Sequence, residues 1–257
     1  MLISLYGLNF ISIVRIVVTI VIFVILSIFD IKTREIDPKL WIFIIPIFAF
    51  LSVMDIEFNS ISISIIKQYV IGIIVDSIIA FAFYFFGLFG GADMFALIAL
   101  SIAVPIVGFV IIYQLLLIVY SGIIGLLIIL LFLLLNIAKK NWEKLPSNIG
   151  VFKKIALMSM AIPVPIKELD RYKFFYPLTI YNCKDNQKHV IIRLSFDIEE
   201  DYSQHIREIK KLLEIGCIND NEYIWITYGI PFLVNLTISY ILVVFGLNIF
   251  APLMVLR

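Results

Sequence analysis

Charge is what this chain has least of. Only 15% of its 257 residues are Asp, Glu, Lys or Arg, while 62% are hydrophobic. Soluble domains carry about 25% charged and 45–50% apolar residues. With a mean hydropathy of +1.08, the composition excludes an ordinary soluble domain and leaves an integral membrane protein. Cysteine and histidine are almost as scarce, at two each. Cys183 and Cys217 form no CxxC pair and have no histidine at ligand spacing, which argues against structural zinc and predicts two free thiols. His189 and His205 read as solvated surface residues. No Lys or Arg occurs between Met1 and Asn9, so the basic region of a cleavable signal peptide is missing and the first apolar run is expected to be retained. No internal repeat of the kind transporters show is visible. The basic residues are interleaved with acids and flank apolar runs, a pattern that does not suit nucleic acid.

What the chain does have is long apolar runs. Residues 10–29 match the roughly 20 residues that a helix needs to cross about 30 Å of hydrocarbon. Further spans are expected over 39–54, with Trp41 as a headgroup anchor, then 65–88, 93–105, 107–137 and 224–250, the last entered at Trp225. Ser121 and Gly125 form a small-xxx-small pair that permits close helix contact. From Lys139 to Glu222 the chain turns polar. There, 171–181 and 188–196 read as strands, and Tyr202, Ile206, Ile209 and Leu213 recur at helical spacing before Gly216. The expected fold is therefore an all-α polytopic membrane protein of six transmembrane helices with a small cytosolic α+β domain. Its parts are a membrane domain at 1–138, the polar domain at 139–222 and a sixth span at 223–257.

Orientation follows from the basic residues. Lys32, Arg34 and Lys39 follow span one, fourteen Lys or Arg lie in the polar domain, and the connections at 55–64 and 105–106 have none. The positive-inside rule then places the N-terminus outside and the polar domain in the cytoplasm. Asp30, at the end of an inward span, and Asp93, at the start of an outward one, fall at the same cytoplasmic depth. Two carboxylates brought close cannot both ionise cheaply, so one can serve as acid while the other activates water. Gly90, Gly91 and Ala92 leave room for a substrate backbone beside Asp93. Each carboxylate also has a plainer role open to it: Asp93 as a helix N-cap, Asp30 as an interfacial charge paired with Lys32 or Arg34. Asp37, before Pro38, reads as a turn residue. Asp76, near mid-span, reads either as a functional carboxyl or as a protonated one hydrogen-bonded to a neighbouring helix. Lys32 and Arg34 could contact substrate or lipid headgroups equally well.

Asp30-Ile-Lys-Thr-Arg-Glu-Ile-Asp-Pro38 together with Gly90-Gly91-Ala92-Asp93 resembles the archaeal preflagellin and prepilin peptidases. These are GxGD-type membrane aspartic proteases related to type IV prepilin peptidases. Trp225-Ile-Thr-Tyr-Gly-Ile-Pro-Phe-Leu233 resembles the family's entry to its last span. The resemblance implies Asp30 and Asp93 as the catalytic pair, no metal or other cofactor, and archaellin- or pilin-like precursors as substrates, cut at the cytoplasmic membrane face. Two positions depart from the family pattern: Ala92 replaces the second glycine, and Phe95 replaces a common lysine. Other classes consistent with membrane carboxylates are a presenilin-type intramembrane protease, although its Pro-Ala-Leu motif is absent, and a non-catalytic transporter or pilus-assembly protein. A metal-free dyad should cleave its precursor at an unchanged rate in the presence of chelators and of serine- or cysteine-directed reagents, as measured by precursor band shift.

Overall fold

The computed structural model describes residues 9–33, 36–106, 110–146, 149–172, 175–184, 187–194, 200, 202–228 and 231–246. In chain order the helices are α1 (Phe10–Thr33), α2 (Trp41–Asn59), α3 (Ile63–Phe85), α4 (Gly91–Ala103), α5 (Val110–Ala138), α6 (Val151–Met160), α7 (Tyr202–Glu214) and α8 (Phe232–Phe245). The strands are β1 (Ala161–Pro165), β2 (Phe175–Pro177), β3 (Thr179–Lys184), β4 (Gln187–Ile192) and β5 (Tyr223–Tyr228). Two compact units result, one formed by 1–125 with 231–257 and the other by 126–230, so α5 contributes to both.

Among the described residues four helices are long and apolar enough to cross a membrane: α1, α2 with its preceding turn, α3 and α5. The other two expected spans are shorter, at 13 residues in α4 and 14 in α8, or about 20 Å each at 1.5 Å per residue. In the first unit α4 is the innermost helix. Ala96, Leu97, Ala99, Leu100, Ser101 and Ala103 are all buried, and α1, α2, α3 and α8 pack around it. A helix that ends inside an apolar core leaves its last carbonyls without partners, and each orphan costs free energy unless it is bonded.

Here five helices supply donors. The Gln114 amide of α5 donates to Ser101 O at 3.1 Å. The hydroxyls of Ser52 (α2) and Tyr69 (α3) both reach Ile102 O. Arg15 Nε (α1) and the Tyr240 hydroxyl (α8) donate to Ala103 O at 3.3 and 3.0 Å. Gln114 can reach across only because position 72 is glycine, since a Cβ there would collide with its Oε1.

Arg15 is fully buried and pairs with Asp55 at 2.8 Å. Asp55 also accepts from Ser12 and Asn59. The expected connection at 55–64 thus begins as the last turn of α2, which continues to Asn59, and the Asp55 carboxylate neutralises a buried guanidinium. Trp41 is likewise no headgroup anchor. It is buried and tilted against Phe23 at 5.9 Å. The Ser121–Gly125 face does meet another helix, for the Asn235 amide of α8 donates to Ser121 O and lies 4.0 Å from a Cβ built on Gly125.

In the second unit β1, β5 and β2 form an antiparallel sheet in that order, and β3 with β4 forms a hairpin. The expected helix at 202–213 is α7, and Gly216 follows it with φ +71°. Two strands escape the sequence reading. β1 contains Pro163 and Pro165, which read as punctuation, yet an edge strand tolerates proline. β5 contains Trp225, which does not open a membrane span but is buried opposite Pro163. The helix begins seven residues later, behind Pro231 at its N-cap. Cys183 and Cys217 are not free thiols. The hairpin and the end of α7 bring their Cα atoms to 6.4 Å, and they are joined as a disulfide.

Removing one member of a buried ion pair leaves the other uncompensated. Asp55→Leu or Arg15→Met alone should therefore lower stability by about 3–5 kcal/mol. The double variant should lose less than the sum of the two, as read by reversible unfolding in bicelles.

Candidate active site

The two candidate carboxylates sit at the end of the first unit opposite the Arg15–Ala103 cluster. Asp93 is the third residue of α4, ten residues before Ala103. The chain arrives through Gly87, whose φ of +70° suits a residue without a side chain, and turns into the helix at Gly90. The Asp93 carboxylate reaches back to accept the Gly90 N–H at 3.2 Å, satisfying one of the helix's free amide donors. A Cβ on Gly90 would come within 3.4 Å of that carboxylate, and Gly91 and Ala92 are half-buried beside it.

Asp30 lies in the last turn of α1 and accepts a hydrogen bond at 3.2 Å from the backbone N–H of Leu233. Leu233 is the second residue of α8, so each carboxylate faces a helix N-terminus: Asp93 its own and Asp30 that of a helix about two hundred residues further on. The α1–α8 contact continues one turn further along. The Ser27 and Thr237 hydroxyls are 2.8 Å apart, and Thr237 reaches the Phe23 carbonyl. Phe232, the first residue of α8, packs tilted against Phe89 with centroids 4.4 Å apart. Phe89 immediately precedes Gly90, so this ring pair joins the mount of Asp30 to the turn of Asp93. The Asp30 charge is near enough to act on the Asp93 carboxyl. Both side chains are half-buried.

The other carboxylates are elsewhere. Asp37 caps the short turn Pro38–Leu40, accepting from Lys39 N at 2.9 Å. Asp76 is fully buried on α3 and lies against the Ser101 hydroxyl without meeting hydrogen-bond geometry with it. Ser101 is eight residues along α4 from Asp93, or about 12 Å of helix rise, so Asp76 does not join the pair. Lys32 is exposed in the last turn of α1; Arg34 lies outside the described residues. Phe95, where the family pattern often has lysine, packs against the apolar core of the first unit. His205 is hydrogen-bonded to Glu200 at 2.7 Å, and the side chain of His189 lies outside the described residues. Among the described residues no group of three or more His, Cys, Asp or Glu could hold a metal ion. Sequence reasoning missed Leu233 N, Phe89 and Phe232 at the site, because a backbone amide and two apolar rings carry no chemical signature of their own.

Helices able to cross a bilayer, with two half-buried carboxylates at the ends of α1 and α4, outline a polytopic membrane protein with a polar site at one end of its first unit. Comparison with known families makes this specific. Residues 17–141 match the type IV leader peptidase family, and residues 153–246 match the archaeal peptidase A24 C-terminus, type II. The chain belongs to the type IV leader peptidase family, in its archaeal prepilin and preflagellin branch. It is a protease of the membrane. No curated protein matches it.

Because Asp76 stands apart from the pair, Asp76→Asn should keep leader cleavage within about tenfold of the parent, a change of about 1.4 kcal/mol in barrier. Initial rates on a pilin-like precursor measure it.

Proposed function

We propose that the protein is an aspartic endopeptidase that removes the short leader from archaellin- or pilin-like precursors at the cytoplasmic face of the membrane. Asp30 and Asp93 form the catalytic pair. The observation that carries this reading is the mounting of the two carboxylates: Asp30 bonded to the N-terminus of α8, Asp93 to the turn before α4, and the tilted Phe89–Phe232 ring pair between them.

One carboxylate, ionised, takes a proton from a water molecule as that water attacks the scissile carbonyl. The other, protonated, donates to the carbonyl oxygen as the tetrahedral intermediate forms. When the C–N bond breaks, a proton passes to the leaving amine, so hydrolysis is balanced without a cofactor. Gly90, Gly91 and Ala92 keep the approach to Asp93 low enough for a substrate backbone. Lys32 and Arg34, following Asp30, contact the substrate or nearby headgroups. In this reading α4 and α8 complete six crossings as shortened helices, and the positive-inside count puts the N-terminus outside and the polar domain at 139–222 in the cytoplasm. A precursor whose apolar helix lies in the bilayer would present its leader junction at the depth of the pair.

Asp30→Asn retains an oxygen able to accept from Leu233, and Asp93→Asn one able to accept from Gly90, so both variants should fold. Each should lose at least about a thousandfold in kcat, and the double variant should be no worse than either, because members of one acid–base unit are non-additive. The pH profile of the parent should be bell-shaped, with two apparent pKa values that belong to the pair. An Asp30→Asn enzyme, correctly inserted, that cleaved at near the parental rate would remove Asp30 from the pair.

A further inference from the structure

We infer that α6 and the lysine-rich turn before it form an interfacial anchor that seats the second unit on anionic lipid headgroups. The α6 helix has two faces. Leu157 and Met158 are buried with Ala161, Leu178, Ile192 and Trp225 in one apolar cluster of that unit. On the other side Val151, Phe152 and Ile155 are 73%, 79% and 53% exposed. At 100° per residue these three side chains share an arc of about 100°, a continuous apolar stripe. Ten residues rise about 15 Å, too short to cross a bilayer.

The position of α6 is fixed. Asn136, buried in the last turns of α5, donates through Nδ2 to the carbonyls of Met158 and Ala161, each at 2.7 Å. Its Oδ1 accepts from the Asn141 amide at 2.7 Å. The exposed stripe is therefore tied to the end of α5, the most apolar of the helices able to cross the membrane. Its neighbourhood is basic. Between 139 and 160 there are five lysines (139, 140, 144, 153 and 154) and one acid, Glu143. Lys144 is engaged with Asn141 and the Tyr223 ring, whereas Lys139, Lys140 and Lys153 are exposed. Trp142 is also exposed, a residue suited to the headgroup layer.

An apolar stripe flanked by lysines, held at the end of a membrane helix, fits a bilayer interface. Its apolar side enters the acyl boundary while the ammonium groups meet phosphate. The basic excess and the continuity with α5 favour lipid over a protein partner as the occupant.

The test uses the full chain with Phe152 replaced by p-benzoylphenylalanine, reconstituted in vesicles of phosphatidylcholine alone or with phosphatidylglycerol. After irradiation, adducts are identified by mass spectrometry. The expected result is lipid adducts, more abundant with phosphatidylglycerol. Combined Lys139→Glu, Lys140→Glu, Lys153→Glu and Lys154→Glu should lower the yield in those vesicles at least about fivefold, the factor equivalent to about 1 kcal/mol for a single lysine at an anionic surface. Adducts to protein in place of lipid would overturn the anchor, and so would equal lipid yields in the two vesicle types. The comparison of vesicles uses chains with all lysines present, so it decides the matter even where the reversed-charge variant fails to insert.

Discussion

The first unit depends on satisfying three carbonyls at the buried end of α4. In water the last turn of a helix is bonded by solvent; in an apolar interior it must be bonded by protein. Ser101, Ile102 and Ala103 receive donors from α1, α2, α3, α5 and α8, so every other helix of the unit is tied to one point. Arg15 adds a charge at the negative end of the α4 dipole, and Asp55 compensates that charge in turn. A short helix can sit at the centre of such an assembly because its end is bonded by side chains rather than by lipid-facing water.

With that end fixed, the opposite end of α4 has little freedom. Asp93 rides on a rigid helix rather than on a loop, and Asp30 is locked in place by a backbone amide of α8. The helices that converge on Ala103, α1 and α8 among them, also meet at the carboxylates. The Arg15 end and the carboxylate end, about 20 Å apart along these helices, are thus joined by the same rigid elements.

How much of this was legible in the sequence differs from residue to residue. Asp30 and Asp93 stand out in the sequence because each follows or precedes an apolar run, and the fold carries them on the last turn of α1 and the first turn of α4. Hydrophobic length gave α1, α3 and α5 to within a few residues, and the spacing of Tyr202, Ile206, Ile209 and Leu213 gave α7. Trp41 and Trp225 were misread for one reason: tryptophan serves both headgroup layers and packed interiors, and only the tertiary neighbours Phe23 and Pro163 decide between them. Arg15 carried a usable signal, since an ionised group inside an apolar run requires a partner. Its pairing with Asp55 was hidden because Asp55 lies where a loop looked equally reasonable. The Leu233 amide could not be anticipated at all, because backbone donors are the same at every position and only the fold selects one.

Gly72 and Gln114 show how such packing limits the paths open to the sequence. A side chain at 72 would occupy the space of the Gln114 amide, and without that amide both Ser101 O and Tyr69 O lose a donor. Enlarging residue 72 first pushes the Gln114 amide off its carbonyls, and shrinking residue 114 first leaves the same carbonyls bare. The two positions can drift only as a pair, through an intermediate that is worse than either end. In related sequences they should be inherited together, like two letters of a single word.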